Sequence, residues 1–332
     1  MITVRKARQL LASYAGRKVL VVGDLMLDRY VSGAVHRISP EAPVPIVHID
    51  GERAVPGGAA NVAMNIRALG GRPILAGVVG ADADGAELKS VLRKNGIATD
   101  GVIADAGVQT TVKTRILAER QQVVRVDREG PPTQLEKALR RLRAKLPALV
   151  RKAEGVAIED YGKGVICQGV VDCVLSAVQA AGIPVGLDPK DNHALAFSHL
   201  TLATPNYAEA CSAAGLKPAP LGGNLLRHEM LRAAGNILLE SWHCDLLIIT
   251  LGAHGMYLRS RGMKPRVIPA RAQEVFDVSG AGDTVIAATL LGLASGASYE
   301  EAAGLANYAA GVVVGKVGTA TCTPKELLAH IK

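Results

Sequence analysis

The sequence predicts an α/β fold: a mainly parallel central sheet with helices on both faces, carrying a small discontinuous β lid. Three observations lead there. Only ten aromatics stand among 332 residues, so the core must be built from Ala, Val, Leu and Ile, as in parallel sheets packed against Ala-rich helices. Short apolar runs ending in Gly or a carboxylate alternate with segments of helical period along most of the chain. Two stretches rich in β-branched residues, with prolines or charges between them, interrupt that alternation and suit edge strands.

The elements follow in order. An amphipathic helix with Val4, Ala7, Leu11 and Tyr14 on one face opens the chain. Lys18 to Asp24 (KVLVVGD) reads as a buried strand ending in Gly and a carboxylate, the pattern of a strand-end site. Between Tyr30 and Asp50, three prolines within six residues exclude helix. Helix resumes at Gly58 to Leu69, strand at Pro73 to Val79, and helix at Ala83 to Asn95, stopped by Gly96. From Val108 to Asp127, β-branched and charged residues alternate about a polar turn at Glu119 to Gln122, as in a two-stranded hairpin. The two insertions, at about 30–50 and 108–128, pair most simply with each other as one lid over an edge of the main domain. Beyond Thr133 the expected elements are a helix to Leu146, a strand near Gly155 to Ile158, a helix over Gln168 to Ala181, strands at Pro184 to Leu187 and Leu200 to Ala203, and helices within Asn206 to Trp242. A strand at Asp245 to Thr250, a turn and short strand in LGAHGMYL, and Ala-rich helices at Ala281 to Ala294 and Tyr299 to Gly315 complete it. No repeat or linker divides residues 1–332, which read as a single domain.

Composition narrows the function. With 49% hydrophobic and 20% charged residues the chain is neither disordered nor, with 36 aperiodic glycines, collagenous. The net charge of +8 is not concentrated in any run, which favours small phosphorylated ligands over nucleic acid. Five cysteines without CxxC spacing read as reduced thiols. No signal-peptide pattern and no bilayer-length apolar window is found, so a cytoplasmic protein with no membrane partner is expected.

The most informative stretch is Asp277-Val-Ser-Gly-Ala-Gly-Asp283, running straight into an apolar helix. Gly280 and Gly282 permit a tight turn, so that N–H groups of Ala281, Gly282 and Asp283 point out of a helix N-terminus and form an anion hole. Asp283 in that turn suits a base taking the proton of a hydroxyl that attacks a phosphoryl group; a plain helix cap is the alternative. Gly57-Gly58-Ala-Ala-Asn61, also opening a helix, offers bare backbone and an amide to a sugar diol, with a plain turn before a helix as the alternative. Asp24 adds a carboxylate of the kind that binds hydroxyl pairs, with a capping role equally open.

Taken together, Gly57-Gly58, Asn206-Tyr207-Ala208-Glu209, Thr250-Leu-Gly252-Ala-His-Gly255 and Gly280-Ala281-Gly282-Asp283 stand in the order found in the ribokinase-like (PfkB-type) carbohydrate kinases, and the chain resembles that family over its whole length. The resemblance implies a ribokinase-like three-layer fold. Within the family, Arg37-Ile-Ser-Pro-Glu-Ala-Pro43, Asp160-Tyr-Gly-Lys-Gly164 and Asp188-Pro-Lys190 resemble the heptose 7-phosphate kinases of lipopolysaccharide-precursor synthesis. Those enzymes transfer phosphate from ATP to the anomeric (C1) hydroxyl of D-glycero-β-D-manno-heptose 7-phosphate, giving the 1,7-bisphosphate. The resemblance further implies that Asp283 is the base and that Gly280, Ala281 and Gly282 shape the anion hole. Asn206 and Glu209 would place magnesium and the nucleotide phosphates through water, an oxygen environment Mg²⁺ prefers. The resemblance puts Thr250, Gly252 and Gly255 along the phosphate and ribose path, Asn307 beside the adenine, and Asp24, Gly57, Gly58 and Asn61 on the sugar hydroxyls. Val278 and Ser279 depart from the commoner Asp-Thr-Thr-Gly-Ala-Gly-Asp pattern, which bears on any neighbouring monovalent cation (K⁺) and not on the base.

A phosphorylated sugar needs cations. Strand alternation in the lid supplies Lys113, Arg115 and Arg125, with Lys163 and Lys190 at strand ends and Arg37 beside rigid Pro40 and Pro43 as further candidates; each has a solvated surface charge as its plain alternative. Apolar lid edges lead us to expect a homodimer formed through the lid, and no nucleotidyltransferase-like segment follows Pro324, as in a stand-alone kinase. Three other functions compete. A kinase for another sugar or sugar phosphate shares every motif but the last three. A sugar-phosphate sensor on the same fold would not need Asp283. A dinucleotide oxidoreductase lacks its GxGxxG after the first strand.

Overall fold

Strand β1 (Lys18–Gly23) sends Val19 and Val21 to one side and Leu20 and Val22 to the other, all fully buried, so helices must cover both faces. The computed structural model describes residues 2–119, 121–191, 195–271 and 275–331, and shows that arrangement. The further strands are β2 (Leu25–Ile38), β3 (Pro45–Gly58), β4 (Arg72–Gly80), β5 (Ala98–Asp105), β6 (Thr111–Ala118), β7 (Gln121–Arg128), β8 (Gly155–Glu159), β9 (Val185–Asp188), β10 (Leu202–Ala203), β11 (Leu246–Thr250), β12 (Met256–Ser260) and β13 (Arg266–Ile268). The helices are α1 (Val4–Ser13), α2 (Ala59–Ala68), α3 (Ala83–Lys94), α4 (Glu136–Val150), α5 (Gln168–Ala181), α6 (Tyr207–Ala213), α7 (Glu229–Ser241), α8 (Ala281–Ala294), α9 (Tyr299–Val313) and α10 (Pro324–His330).

The main sheet runs β13-β12-β11-β10-β9-β8-β1-β4-β5, parallel from β11 to β5 with β12 and β13 antiparallel at one edge. Helices α1, α2, α3, α8, α9 and α10 pack on one face and α4 to α7 on the other. β5, β13 and α10 were not anticipated, because β5 and β13 are polar or very short and α10 spans only two turns.

Strands β3-β2-β6-β7 form the second sheet, the lid. It extends further than the two expected insertions: β2 starts one residue after β1 ends, so Asp24 alone separates these two strands, and β3 runs on to Gly58, directly before α2. Arg120, inside the expected polar turn, lies outside the described residues. Register explains the faces. Asp28, Lys113 and Asp127 stand side by side, as do Tyr30, Arg115 and Arg125, with Arg53 opposite Tyr30. The next positions, Val31, Ile116 and Val124, and Thr114 with Val126, necessarily point the other way.

Candidate active site

The site lies where β1, β8 and β9 end beneath the N-terminus of α8. Gly280, at φ +78°, caps α8, and a Cβ there would fall 2.6 Å from the Asn61 amide nitrogen. Only glycine allows both the left-handed backbone and this close approach. The turn delivers Asp283 into the interior, where it is 5% exposed. Its Oδ2 accepts from the Asn61 amide at 2.6 Å and its Oδ1 from the Tyr161 hydroxyl. Burial pushes the Asp283 carboxyl above the usual carboxylate range, while the Tyr161 and Asn61 hydrogen bonds pull it back. The Ala281 N–H is turned onto the Val278 carbonyl at 3.2 Å, and that of Asp283 leans on its own carboxylate. Among the described residues, the open donor at this helix end is therefore that of Gly282.

Asp24 is 1% exposed, and its carboxylate accepts from the backbone N–H groups of Tyr161 (2.9 Å), Lys163 (3.1 Å) and Val165 (2.9 Å). It organises the loop after β8; a sugar diol would bind it in addition to these three donors. Burial raises its pKa and the three amides oppose that. Gly57 packs against the Asp28 carboxylate, where a Cβ would come within 2.4 Å of Oδ2, and Gly58 adopts φ +59° beside the Asp24 carbonyl.

Glu159, at the end of β8, is fully buried, and neither carboxylate oxygen has a hydrogen-bond partner among the described residues. Burial, reinforced by Asp188 and Asp283, holds its pKa well above the carboxylate range; burial, then Glu209 and Asp283, does the same to Asp188. One oxygen from each of Glu159, Asp188 and Asp283 lies within 4.8 Å of the others.

On the expected nucleotide side, Asn206 and Glu209 close a capping box at α6: Asn206 Oδ1 accepts from the Glu209 N–H, and Glu209 Oε2 from the Asn206 N–H, each at 2.9 Å. Glu209 Oε1 is left facing Lys190 Nζ at 3.4 Å. Ala208 is exposed on the same first turn, and the Tyr207 hydroxyl is engaged with the Ala219 backbone. Thr250 lies beside Asn206 in an isolated parallel bridge, and the turn between Gly252 and Gly255 follows. Asn307 is 4% exposed, gives its amide to the Pro269 carbonyl at 2.8 Å, and lines a cavity of about 470 Å³ with Pro269, Arg271 and Tyr308.

The basic candidates separate. Lys113 reaches Asp127 (3.0 Å) and Glu129 (3.1 Å), Lys163 reaches Glu129 (2.7 Å), and Arg125 reaches Asp127 (2.8 Å). Arg115 is paired with Asp28 at 2.5 Å. Lys190 pairs with Asp191 at 3.0 Å. Arg37 is exposed at the outer end of β2, roughly 40 Å of strand from Asp24 at ~3.3 Å per residue, and is not brought to this cleft. Sequence reading missed Tyr161 and Glu159, although both sit at a strand end beside a glycine loop, where site residues concentrate in parallel sheets. It also missed Asp28 and Arg53, which the same lid alternation would have placed with Lys113 and Arg115.

A buried carboxylate under a glycine-rich helix N-terminus, on a doubly covered sheet with a β lid, is the architecture of a phosphotransferase acting on a small hydroxylated acceptor. The pfkB family carbohydrate kinase model matches residues 17–326, and the chain belongs to that family of ATP-dependent carbohydrate kinases. It is 44% identical over 320 residues to the bifunctional protein HldE of Caulobacter sp. (strain K31), covering 96% of this chain and 64% of that protein. Against bifunctional protein HldE of Magnetococcus marinus it is 43% identical over 314 residues, 94% of this chain and 63% of the relative. The chain thus spans somewhat under two thirds of these curated relatives. Among solved structures the fold is that of Arabidopsis thaliana ribokinase complexed with ribose and ATP (TM-score 0.70, 23% identity, 96% of this chain and 99% of that one). It is also that of Escherichia coli phosphofructokinase-2 in complex with potassium (TM-score 0.73, 19% identity, 96% and 99%). Among the described residues no helix is long and apolar enough to cross a membrane.

Proposed function

We propose that the protein phosphorylates the C1 hydroxyl of D-glycero-β-D-manno-heptose 7-phosphate with ATP. The observation that carries this reading is Asp283, held by Asn61 and Tyr161 beside the Gly282 N–H. The C1 hydroxyl gives its proton to Asp283 as its oxygen bonds to the γ-phosphorus; the bond from that phosphorus to the bridging oxygen breaks, and ADP leaves with the electron pair. The Gly282 N–H and the positive end of α8 face the charge that builds on the transferring group. Magnesium would neutralise the nucleotide phosphates, with Asn206 and Glu209 placing it through water; the oxygen-only donors here suit that ion.

The acceptor's own phosphate finds support in one arrangement. Lys113 and Lys163 bracket the Glu129 carboxylate at 3.1 and 2.7 Å, so two lysines already converge on a single anionic group. A phosphate that displaced Glu129 would inherit both charge-assisted hydrogen bonds. The 40–44% identity to the bifunctional relatives and the Asp160 to Gly164 and Asp188 to Lys190 segments favour heptose phosphate over other acceptors. Potassium belongs to the same proposal, beside the loop that Asp277 closes by accepting from the N–H groups of Ser279 (2.9 Å) and Gly318 (3.0 Å). A cytoplasmic setting, where ATP is at hand, accords with five free cysteines. A homodimer through the lid accords with Ile38, Ile49, Val124 and Val126, all exposed there; only such a pairing would bring Arg37 to a sugar site, that of the second copy.

A panel of sugar phosphates offered with ATP, followed by ADP release and by NMR of the product, tests the reading. Turnover of heptose 7-phosphate to a C1 phosphate supports it. Faster turnover of an unphosphorylated or differently phosphorylated sugar replaces it with that acceptor, and ligand binding with no ADP from any acceptor replaces it with a sensor.

A further inference from the structure

The amino-terminal end of the main sheet gathers charge that the sequence disperses. Lys18 opens β1 and Arg72 opens β4, and the two are register partners on adjacent parallel strands, where like charges side by side repel. Arg151 and Lys152 follow α4 and lead into β8, the other neighbour of β1. Arg67, in the last turn of α2, lies over Gly96, its guanidinium 3.4 Å from where a Cβ would stand, and so joins Lys94 at the turn before β5. All six side chains are exposed, and among the described residues none of them donates to a carboxylate. Glu154, in the same corner, is already held by Arg17 Nη1 at 2.5 Å and by the Lys18 N–H at 2.9 Å. Asp100, exposed at the start of β5, adds one acid, but Lys145, bonded to its carbonyl at 2.8 Å, adds a further cation.

Helix dipoles do not account for this gathering. Cations favour helix C-termini, yet α5, α7 and α8 also finish at this end of the sheet and have no basic residue in their last turn. Lys18, Arg72 and Lys152, moreover, belong to no helix. The row runs beneath β8-β1-β4-β5, three strand spacings, so it is about 15 Å across. Among the described residues no exposed aromatic side chain stands in it, which leaves nothing to stack on a nucleobase. Cations brought together from separate segments, without stacking rings, match the spread negative charge of an anionic lipid surface.

We propose that this end of the sheet, at Lys18, Arg67, Arg72, Lys94, Arg151 and Lys152, docks on the anionic phospholipids of a membrane surface. The contact is peripheral, so it needs no bilayer-length helix, and it revises the expectation of no membrane partner. The carboxyl ends of the strands, with Asp283 beneath α8, then face away from the lipid and stay open to soluble substrates. Docking needs neither ATP nor sugar, so it stands or falls apart from the acceptor proposed above.

The test is co-sedimentation of the full chain with vesicles of phosphatidylglycerol and phosphatidylcholine in equal parts, beside vesicles of phosphatidylcholine alone. Binding to the first and not to the second is expected, weakening as salt rises through ~0.15 M, where the Debye length is about 8 Å. Each basic residue at an anionic surface is worth about fivefold, so the triple variant Lys18→Gln, Arg72→Gln, Lys152→Gln should bind about a hundredfold more weakly. A control triple variant of exposed cations elsewhere, Lys217→Gln, Arg227→Gln, Lys325→Gln, removes the same charge and should stay within a few-fold of the wild type. Equal binding by the wild type and the first triple variant overturns the proposal, as does equal loss in the control, equal binding to neutral vesicles, or no binding at low salt. So does a single-stranded oligonucleotide that binds the wild type more tightly than the anionic vesicles do and loses that affinity in the first triple variant, which would make this a nucleic-acid surface. Circular dichroism melts check folding, and if the first triple variant is unfolded, Arg67→Gln, Lys94→Gln, Arg151→Gln takes its place under the same criteria.

Discussion

The Asn61 amide nitrogen stands 2.6 Å from Asp283 Oδ2, across 222 positions of chain, and joins the glycine turn that opens α2 to the one that opens α8. The proposed base is therefore aimed by the same helix whose start would receive the sugar. Replacing Asp283 by Asn should lower kcat by about 10²–10⁴ while nucleotide affinity stays within a few-fold, because a general base is lost and no nucleotide contact is. Asn61→Ala should cost about ten- to a hundredfold in kcat, the worth of a hydrogen bond to a charged group. Steady-state kinetics with nucleotide titrations decides both; near-normal kcat in Asp283→Asn would remove the base.

If Glu129 keeps the place of a phosphate, its neighbours should show it in binding. Lys113→Ala and Lys163→Ala should each weaken sugar-phosphate binding about ten- to a hundredfold with ATP affinity unmoved, and Glu129→Gln should tighten it by removing a competitor. Arg125→Ala should matter little, as its side chain is 48% exposed and turned to Asp127. Calorimetry at low salt and at ~0.15 M, where the Debye length is about 8 Å, separates contact from distant attraction. Normal binding by both lysine variants at the higher salt places the clamp elsewhere, with Arg53 next to be tried.

The outer lid face carries Val124 and Val126 at 44% and 53% exposure. A charge there should oppose association of two lids, so Val126→Asp is expected to be monomeric by light scattering at concentrations where the wild type is dimeric. A monomeric wild type at micromolar concentration would rule out the lid dimer.

Helix α10 supplies a pH-dependent contribution to stability away from the site. Hydrogen bonds from Lys316 and Thr323, acting against burial, bring the Glu326 carboxyl down to about 2. A depressed carboxylate pKa stabilises the fold above the unfolded value of about 4.3, and that contribution disappears as pH falls towards the folded one. Glu326→Gln should thus lower stability at pH 7 by about 1 kcal/mol, a small figure because the pair is partly exposed, and the two proteins should converge near pH 2. Denaturant melts across that range measure it; a gap that widens in acid would contradict the sign.

Much of the layering was legible because it rests on local rules. Period-two alternation placed Lys113, Arg115 and Arg125 on one face of the lid, as their register shows, and glycine-rich turns marked both helix starts at the site. What escaped was whatever depends on neighbours distant in sequence. That Lys113 and Lys163 share one carboxylate, that Asp24 is engaged by three amides of a loop about 140 residues on, and that Glu159 has no hydrogen-bond partner among the described residues all follow from packing between strands. The reach of β2 was underestimated because a single buried aspartate, and no turn, separates it from the core strand.

That junction has a mechanical meaning. With Gly23 the last residue of the core strand and Leu25 the first of the lid, Asp24 forms one of the four crossings of the chain between core and lid. The same residue's side chain grips Tyr161, Lys163 and Val165. Lid, loop and buried carboxylate are thus tied at one place, because the residue at this crossing holds the backbone of the tyrosine whose hydroxyl touches Asp283.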